Sequence, residues 1–372
     1  MQKQILITGG AGFIGSHLCD QLIGEGHQVR VLDILDKQVH GEGCERPEYL
    51  HPDVELIRGD VCRKEDVEGA LKGVDCVYHF AAKVGVGQSM YEITSYTNVN
   101  NLGTAVLLEA LINHPVGKLV VASSMSIYGE GLYRDPEGNV TPGYQRCIGR
   151  LKAGEWELHN GQGKRLEPVP THEDKMPDLS SVYALSKYDQ ERLCLIAGRA
   201  YDFPVVALRF FNVYGTRQAL SNPYTGVLAI FASRYLNNKP PLIFEDGNQK
   251  RDFVHVKDVA KACSLAGEAT HAGGQVLNIG SGQAYTISEI AGQLADVMGK
   301  KDLHPQITGK YRAGDIRHCF ADISKAEKLI GYAPKVTLRD GLSELAAWLE
   351  GQIADDQVDA ARNELEKRGL TV

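Results

Sequence analysis

The chain has 372 residues, 43% of them hydrophobic and 23% charged, with a formal net charge of -7. That length suits one large α/β domain with a smaller lobe, and the mild acidity gives no reason to expect nucleic acid or an anionic membrane as a partner. No apolar run reaches the roughly 18 residues of a membrane span, the first strand starts too early to leave room for a signal peptide, and the eight cysteines form no Cys-x-x-Cys pair. A cytoplasmic protein without a metal site is expected.

Residues 4–8 read as a short buried strand and 16–24 as an amphipathic helix. Between them runs Gly9-Gly10-Ala11-Gly12-Phe13-Ile14-Gly15. Glycine at 9, 12 and 15 permits a tight turn, a close approach of backbone to a pyrophosphate, and close packing of helix on strand. The N-terminus of the helix that follows offers free N–H groups to phosphate, and Phe13 and Ile14 are read as cofactor-binding positions within the turn. A second strand over 28–32 ends in Asp33, whose carboxylate can accept from both ribose hydroxyls and would repel a 2′-phosphate. Gly9, Gly12, Phe13, Ile14, Gly15 and Asp33 therefore point to NAD rather than NADP.

A third strand over 54–61 ends at Asp60 and Val61, which either face the adenine or cap a helix starting at Cys62. A fourth, over 75–82, ends in Ala81 and Ala82, small enough to leave room for the dinucleotide. Residues 96–111 read as a helix carrying Asn100, placed on the cofactor side, and 118–123 as a fifth strand. This alternation predicts an α/β fold, a doubly wound parallel sheet of the Rossmann type, with ligands at the carboxyl ends of the strands.

From 129 to 176 the pattern gives way to a polar insertion too long for an ordinary connection, read as a lid, an interaction loop or local disorder. A helix over 181–200 and a sixth strand over 205–210 follow. The expected organisation is an NAD-binding domain over 1–214 and a smaller mixed α/β substrate-binding lobe over 215–350. Residues 253–280, including Val254-His255-Val256, return to the Rossmann sheet, and 351–372 form a charged helical tail.

Tyr183 and Lys187 stand at i and i+4, where side chains on one helix meet. An ammonium there should lower the Tyr183 pKa from about 10 and make the phenol a general base. Ser123-Ser124-Met125-Ser126 leaves the fifth strand and brings hydroxyls to the same edge of the sheet.

With these motifs the chain resembles the extended short-chain dehydrogenase/reductase family, in its nucleotide-sugar epimerase and dehydratase branch. The resemblance covers residues 3–350. It adds Tyr128-Gly129, the run from Arg209 to Gly215, the run from Arg251 to Val259, and Arg312-Ala313-Gly314-Asp315 to the motifs already named. It implies that Ser124 is the catalytic hydroxyl with Ser126 on the substrate side, that Tyr183 is the base, and that Lys187 is its partner and a ribose ligand. It also implies that Asn212, Arg251 and Arg312 bind the sugar nucleotide, the arginines at its pyrophosphate, although either arginine would also serve as a surface salt bridge. Cys319 falls where UDP-hexose epimerases limit bulk at sugar carbon 2; ordinary packing also accounts for it.

Dehydratases of the family carry Asp-Glu directly after the catalytic hydroxyl, and decarboxylases a Glu two residues after it; Met125 and Ser126 stand there instead. The resemblance thus implies an isomerase, a 4-epimerase acting through a transient 4-keto sugar. The insertion is similar to that of deoxysugar epimerases, without their Cys-Pro-x-Cys-Gly element, which implies a dTDP-6-deoxyhexose such as dTDP-L-rhamnose and no metal. UDP-glucose or UDP-GlcNAc is the second choice. A dehydrogenase or reductase that releases reduced cofactor, and a catalytically silent NAD-binding regulator, are the readings from other classes. The resemblance further implies a homodimer through helices 96–111 and 181–200, where Leu185, Leu193 and Ile196 offer apolar surface.

Overall fold

The structure, a computed structural model, describes residues 2–220, 222, 226–311, 315–352 and 358–370. Its centre is a seven-stranded sheet of β1 (Gln4–Thr8), β2 (Gln28–Asp33), β3 (Glu55–Arg58), β4 (Cys76–His79), β5 (Lys118–Ser124), β6 (Val205–Phe210) and β7 (Gln275–Ile279). The order is β7-β6-β5-β4-β1-β2-β3, and every pairing is parallel. The order reverses between β1 and β4, so a crevice opens there beyond the strands' carboxyl ends.

Alternation along β1 shows why helices lie on both faces. Ile5 and Ile7 join a buried cluster with Leu18 and Leu22 of helix Phe13–Gly24 and Val259 and Cys263 of helix Val256–Glu268. Leu6, pointing the other way, joins Leu107 and Leu111 of helix Gly103–Asn113 and Cys194 of helix Val182–Ala200. A strand buried on both faces reads as an unbroken apolar run, which is why the sequence shows it plainly.

The helix expected over 96–111 is instead three segments: Ile93–Tyr96, a π-helical turn Thr97–Leu102, and Gly103–Asn113. At the turn the Thr104 hydroxyl donates to the Asn100 carbonyl at 2.5 Å. A side chain entering the backbone ladder in this way is a recognised cause of helix irregularity.

Val254-His255-Val256 does not rejoin the main sheet. Strand Phe253–His255 pairs in parallel with Asn212–Tyr214 in a separate two-stranded sheet. Both edges of β6 are already taken, by β5 and β7, and the free edge is its continuation beyond Phe211. Gln275–Ile279 does join the sheet, as β7.

A further buried cluster gathers Phe231 of helix Val227–Leu236, Leu294 of helix Ile287–Val297 and Leu342 of helix Leu338–Leu349, beside Tyr214 and Phe253. The insertion is ordered. Strands Leu132–Arg134, Val140–Pro142 and Glu167–Val169 form an antiparallel sheet, helix Ile148–Lys152 follows the second strand, and Tyr133, Leu158 and Leu166 pack together. Among the described residues no helix is long and apolar enough to cross a membrane.

Candidate active site

The glycine turn sits at the reversal between β1 and β4. Gly9 has φ +71, and a Cβ on it would lie 2.7 Å from the Ala81 nitrogen; one on Gly15 would lie 2.6 Å from the Gly10 Cα. Only glycine closes this turn. Gly12 is the N-cap of helix Phe13–Gly24, which has neither a capping side chain nor an acid in its first turn, so the N–H groups at Phe13 and Ile14 form an open anion site. Asp33, buried at the end of β2, accepts from the Ala11 N–H at 3.0 Å and from the Leu35 N–H at 2.9 Å. Burial pushes its carboxyl up, against the pull of those two N–H groups and of His40.

Asp60 accepts from the Cys62 N–H at 2.9 Å, while its own N–H donates to Asp66 at 2.9 Å. It does not cap a helix at Cys62, because the helix begins at Lys64 with Arg63 as its N-cap; the bond to Cys62 closes a turn before it, and Val61 is buried. The Ala81 N–H donates to the Thr8 hydroxyl at 3.2 Å, and Ala82 follows, partly exposed, in the loop after β4. Asn100 is spent inside the protein. It accepts from the Lys83 N–H at 2.8 Å and donates to the Lys83 carbonyl at 3.1 Å and the Ser186 hydroxyl at 2.9 Å, pinning the loop after β4 to helix Val182–Ala200. These bonds make it a clamp between the two elements.

Ser124 ends β5 and caps the short turn Met125–Tyr128, accepting from the Ser126 N–H at 3.2 Å and hydroxyl at 2.9 Å. Its hydroxyl also favours the charged form of the Tyr183 phenol. Tyr183 lies in the first turn of its helix, whose N-cap Ser181 accepts from Ala184 at 3.1 Å, and its ring meets Tyr96 edge-on at 6.4 Å. Lys187 is buried one turn further on.

The expected effect of Lys187 on Tyr183 is not what the structure shows. The Lys187 ammonium donates to Gln190 at 2.7 Å. Burial pushes the Tyr183 phenol above its ordinary value, with the Ser124 hydroxyl pulling the other way, and burial lowers Lys187 to about 7. Gln190 continues the network, donating to Thr104 at 2.8 Å beside fully buried His79, which bridges to Thr8 at 2.8 Å.

On the other wall, Asn212 donates to the Asp252 carbonyl at 2.8 Å. The Arg251 guanidinium donates through Nη1 to the carbonyls of Lys250 and Arg317, each at 2.9 Å, and through Nη2 to that of Ile316. Among the described residues no carboxylate pairs with it. Of the five N–H donors, one on Nε and one on Nη2 have no partner among these bonds, and that edge of a guanidinium grips a phosphate with two parallel bonds. Cys319 is buried beside Met125 and Phe211 within reach of Thr171, and burial pushes its thiol up to about 12. Arg312 lies outside the described residues.

Residues 5–146 and 161–280 match the NAD dependent epimerase/dehydratase family. The chain belongs to that family. It is 34% identical over 362 residues to dTDP-L-rhamnose 4-epimerase of Burkholderia thailandensis, covering 94% of this chain and 96% of the relative. The fold is similar to the crystal structure of UDP-glucose 4-epimerase from Thermotoga maritima with UDP-glucose (TM-score 0.76, 32% identity, 93% of this chain, 98% of that one). It is also similar to Thermus thermophilus UDP-glucose 4-epimerase in complex with NAD (TM-score 0.74, 30% identity, 94% and 100%). NAD is the cofactor, and the enzyme is an isomerase.

For an epimerase of this family the glycine cradle, the open helix N-terminus and Asp33 fit a dinucleotide diphosphate and its ribose. Several supporting groups escaped the sequence reading. A Cβ on Gly10 would press into Val31 at 2.5 Å, and the Tyr49 hydroxyl donates to the Ala11 carbonyl at 2.9 Å, fastening the loop after β2 over the turn. Glu191 accepts from Ser123 at 2.6 Å and from Arg209 at 2.7 and 2.8 Å, tying the helix of Tyr183 to β5 and β6. An arginine among apolar residues, at 209, was the available signal for that pair, whereas Glu191 stands in the charged run Asp189-Gln190-Glu191-Arg192 and gives none.

Proposed function

We propose that the protein is an NAD-dependent 4-epimerase of nucleotide sugars, acting on a dTDP-6-deoxyhexose such as dTDP-L-rhamnose. The observation that carries this reading is the gathering of Ser124, which ends β5 and accepts from Ser126, with Tyr183 in the first turn of helix Val182–Ala200 and Lys187 buried one turn along. Tyr183 takes the proton of the sugar 4-hydroxyl, and Ser124, steadied by Ser126, holds that oxygen. The glycine turn, the helix N-terminus and Asp33 would hold NAD, which would supply the acceptor and then the donor of the carbon-4 hydride, so that a 4-keto sugar is reduced again on its opposite face. Because burial holds the proton on Tyr183, its release requires a positive charge alongside, and a swing of Lys187 from Gln190 toward the phenol supplies one. The free edge of Arg251 takes the pyrophosphate with Arg312, Asn212 lies near the sugar nucleotide, and Cys319 lines the sugar pocket.

Met125 and Ser126 provide no acid or base beside Ser124, which favours epimerisation over elimination or decarboxylation. The choice of a dTDP sugar is supported by the likeness to the Burkholderia thailandensis enzyme. The likeness to UDP-glucose 4-epimerases supports UDP-glucose or UDP-GlcNAc as the second reading. Leu185 and Ile196 are 53% and 52% exposed, whereas Leu193 packs inward, so we also propose a homodimer through the outer face of this helix. All eight cysteines are unpaired, in keeping with the cytoplasm.

The deciding experiment incubates the protein, without added cofactor, with dTDP-L-rhamnose and separately with UDP-glucose and UDP-GlcNAc, following products by anion exchange and proton NMR. A carbon-4 epimer from the dTDP sugar supports the first reading. Turnover of UDP sugars alone moves the assignment to the second, and steady release of NADH rules out an epimerase.

A further inference from the structure

The plane of the Arg251 guanidinium is set by the carbonyls of Ile316 and Arg317, and the insertion holds those carbonyls in place. Glu130 accepts from the backbone N–H groups of Arg317 at 2.6 Å and His318 at 3.2 Å. The Arg317 side chain, wholly buried, donates to Glu157 at 2.6 Å, Glu245 at 2.9 Å and Asp246 at 2.7 Å. The second oxygen of Glu157 accepts from His318 Nε2 at 3.1 Å, while His318 Nδ1 accepts from the N–H of Lys250 at 3.0 Å. That pair of bonds places the imidazole proton on Nε2. Arg146, also in the insertion, spans Glu245 at 2.6 Å and the Asp315 carbonyl at 2.8 Å.

Glu157 thus reaches Arg251 from two sides, through Arg317, whose carbonyl receives the guanidinium, and through His318, which fixes the residue before it. Its carboxyl is ionised: burial works against the charge, but the His318 and Arg317 hydrogen bonds bring it to about 2. The family match stops at 146 and resumes at 161, so this carboxylate lies in the stretch that it leaves out.

We propose that Glu157 is a positioning residue for substrate, which fixes the Arg251 guanidinium, through Arg317 and His318, to receive the diphosphate of the nucleotide sugar. The inference rests on the diphosphate role proposed for Arg251. Its sign is diagnostic. Removing a negative charge near a diphosphate would by itself tighten binding. Weaker binding on loss of the Glu157 charge therefore reports lost geometry.

The test is a double-mutant cycle on the full-length, NAD-loaded protein, titrated calorimetrically with UDP and with dTDP. Arg251→Ala is expected to weaken binding of at least one diphosphate by about tenfold or more, and Glu157→Gln by about fivefold, with the double variant no weaker than Arg251→Ala. In turnover, Glu157→Gln should raise KM by a similar factor and leave kcat within about twofold. Wild-type binding by Glu157→Gln, or an effect that adds in full to that of Arg251→Ala, overturns the inference and leaves the role of Arg251 standing. Wild-type binding by Arg251→Ala, or no binding of either diphosphate by the wild type, overturns both. Melting temperature and bound NAD report folding; if Glu157→Gln does not fold, Glu157→Asp, which shortens the side chain and keeps its charge, goes through the same cycle with the same criteria.

Discussion

The Lys187 ammonium lies 2.7 Å from Gln190 Oε1, a residue of its own helix, rather than against the Tyr183 phenol. Burial lowers its pKa to about 7 in the folded chain, whereas an unfolded lysine titrates near about 10.4. Between these values the unfolded state binds more protons, so this group makes wild-type stability rise with pH through that window. Lys187→Met removes the titration. Its melting temperature relative to the wild type should therefore fall progressively from about pH 7 to about pH 10, on top of the cost of leaving Gln190 Oε1 without its donor. Differential scanning fluorimetry across that range checks it, and a pH-independent difference would contradict the assignment.

Burial raises the Tyr183 pKa and keeps the phenol protonated, with the Ser124 hydroxyl pulling the other way. Tyr183→Phe preserves the edge-on contact with Tyr96 and removes only the proton acceptor. The variant should lose about 10³-fold or more in kcat, and Ser124→Ala about 10²-fold, both with normal NAD content. Cofactor released by denaturation and single-turnover rates measure the two effects separately. Turnover by Tyr183→Phe near the wild-type rate would remove it from the chemistry.

How much of this was legible in the sequence depends on whether the signal was local. β1, the glycine turn and Asp33 were readable because a strand buried on both faces is an apolar run and a φ of +71 at Gly9 demands glycine. The spacing of Tyr183 and Lys187 was readable too, but the direction of the lysine was not, since it depends on Gln190, one turn further on. Pairing of Phe253–His255 was misread because it hinges on which edges of β6 are occupied, a property of the assembled sheet. The insertion read as a loop because distant partners hold its buried charges: Glu245 for Arg146, and Arg317 and His318 for Glu157, each more than 70 residues away along the chain.

Gly15 offers a test of the cradle that needs no ligand. A Cβ there would stand 2.6 Å from both the Gly10 Cα and the Gly9 carbonyl oxygen, backbone atoms that cannot swing aside. Gly15→Ala should cost about 1–3 kcal/mol of stability and open the turn, so that NAD content falls with it. Gly24→Ala is the control: a Cβ there meets nothing within 4 Å. Urea unfolding of both variants, with NAD quantified in parallel, decides the matter; equal stability would place the strain elsewhere.

The pair Glu191 and Arg209 makes the last prediction. Arg209 donates to both oxygens of Glu191, at 2.7 and 2.8 Å, and both residues are buried. Breaking such a pair leaves an uncompensated charge, so Glu191→Gln should destabilise the fold by about 3–5 kcal/mol. Replacing both residues with apolar ones, Glu191→Leu with Arg209→Met, should cost less than that single change, because no charge is then stranded. Glu191 also accepts from Ser123, the residue before Ser124, and it lies two turns along the helix from Tyr183. The double variant, even where stable, should therefore lose kcat as helix and strand shift relative to each other. Urea midpoints and kcat measured on the same three proteins separate the two consequences. A double variant less stable than Glu191→Gln would show that the ion pair contributes more than the absence of a stranded charge.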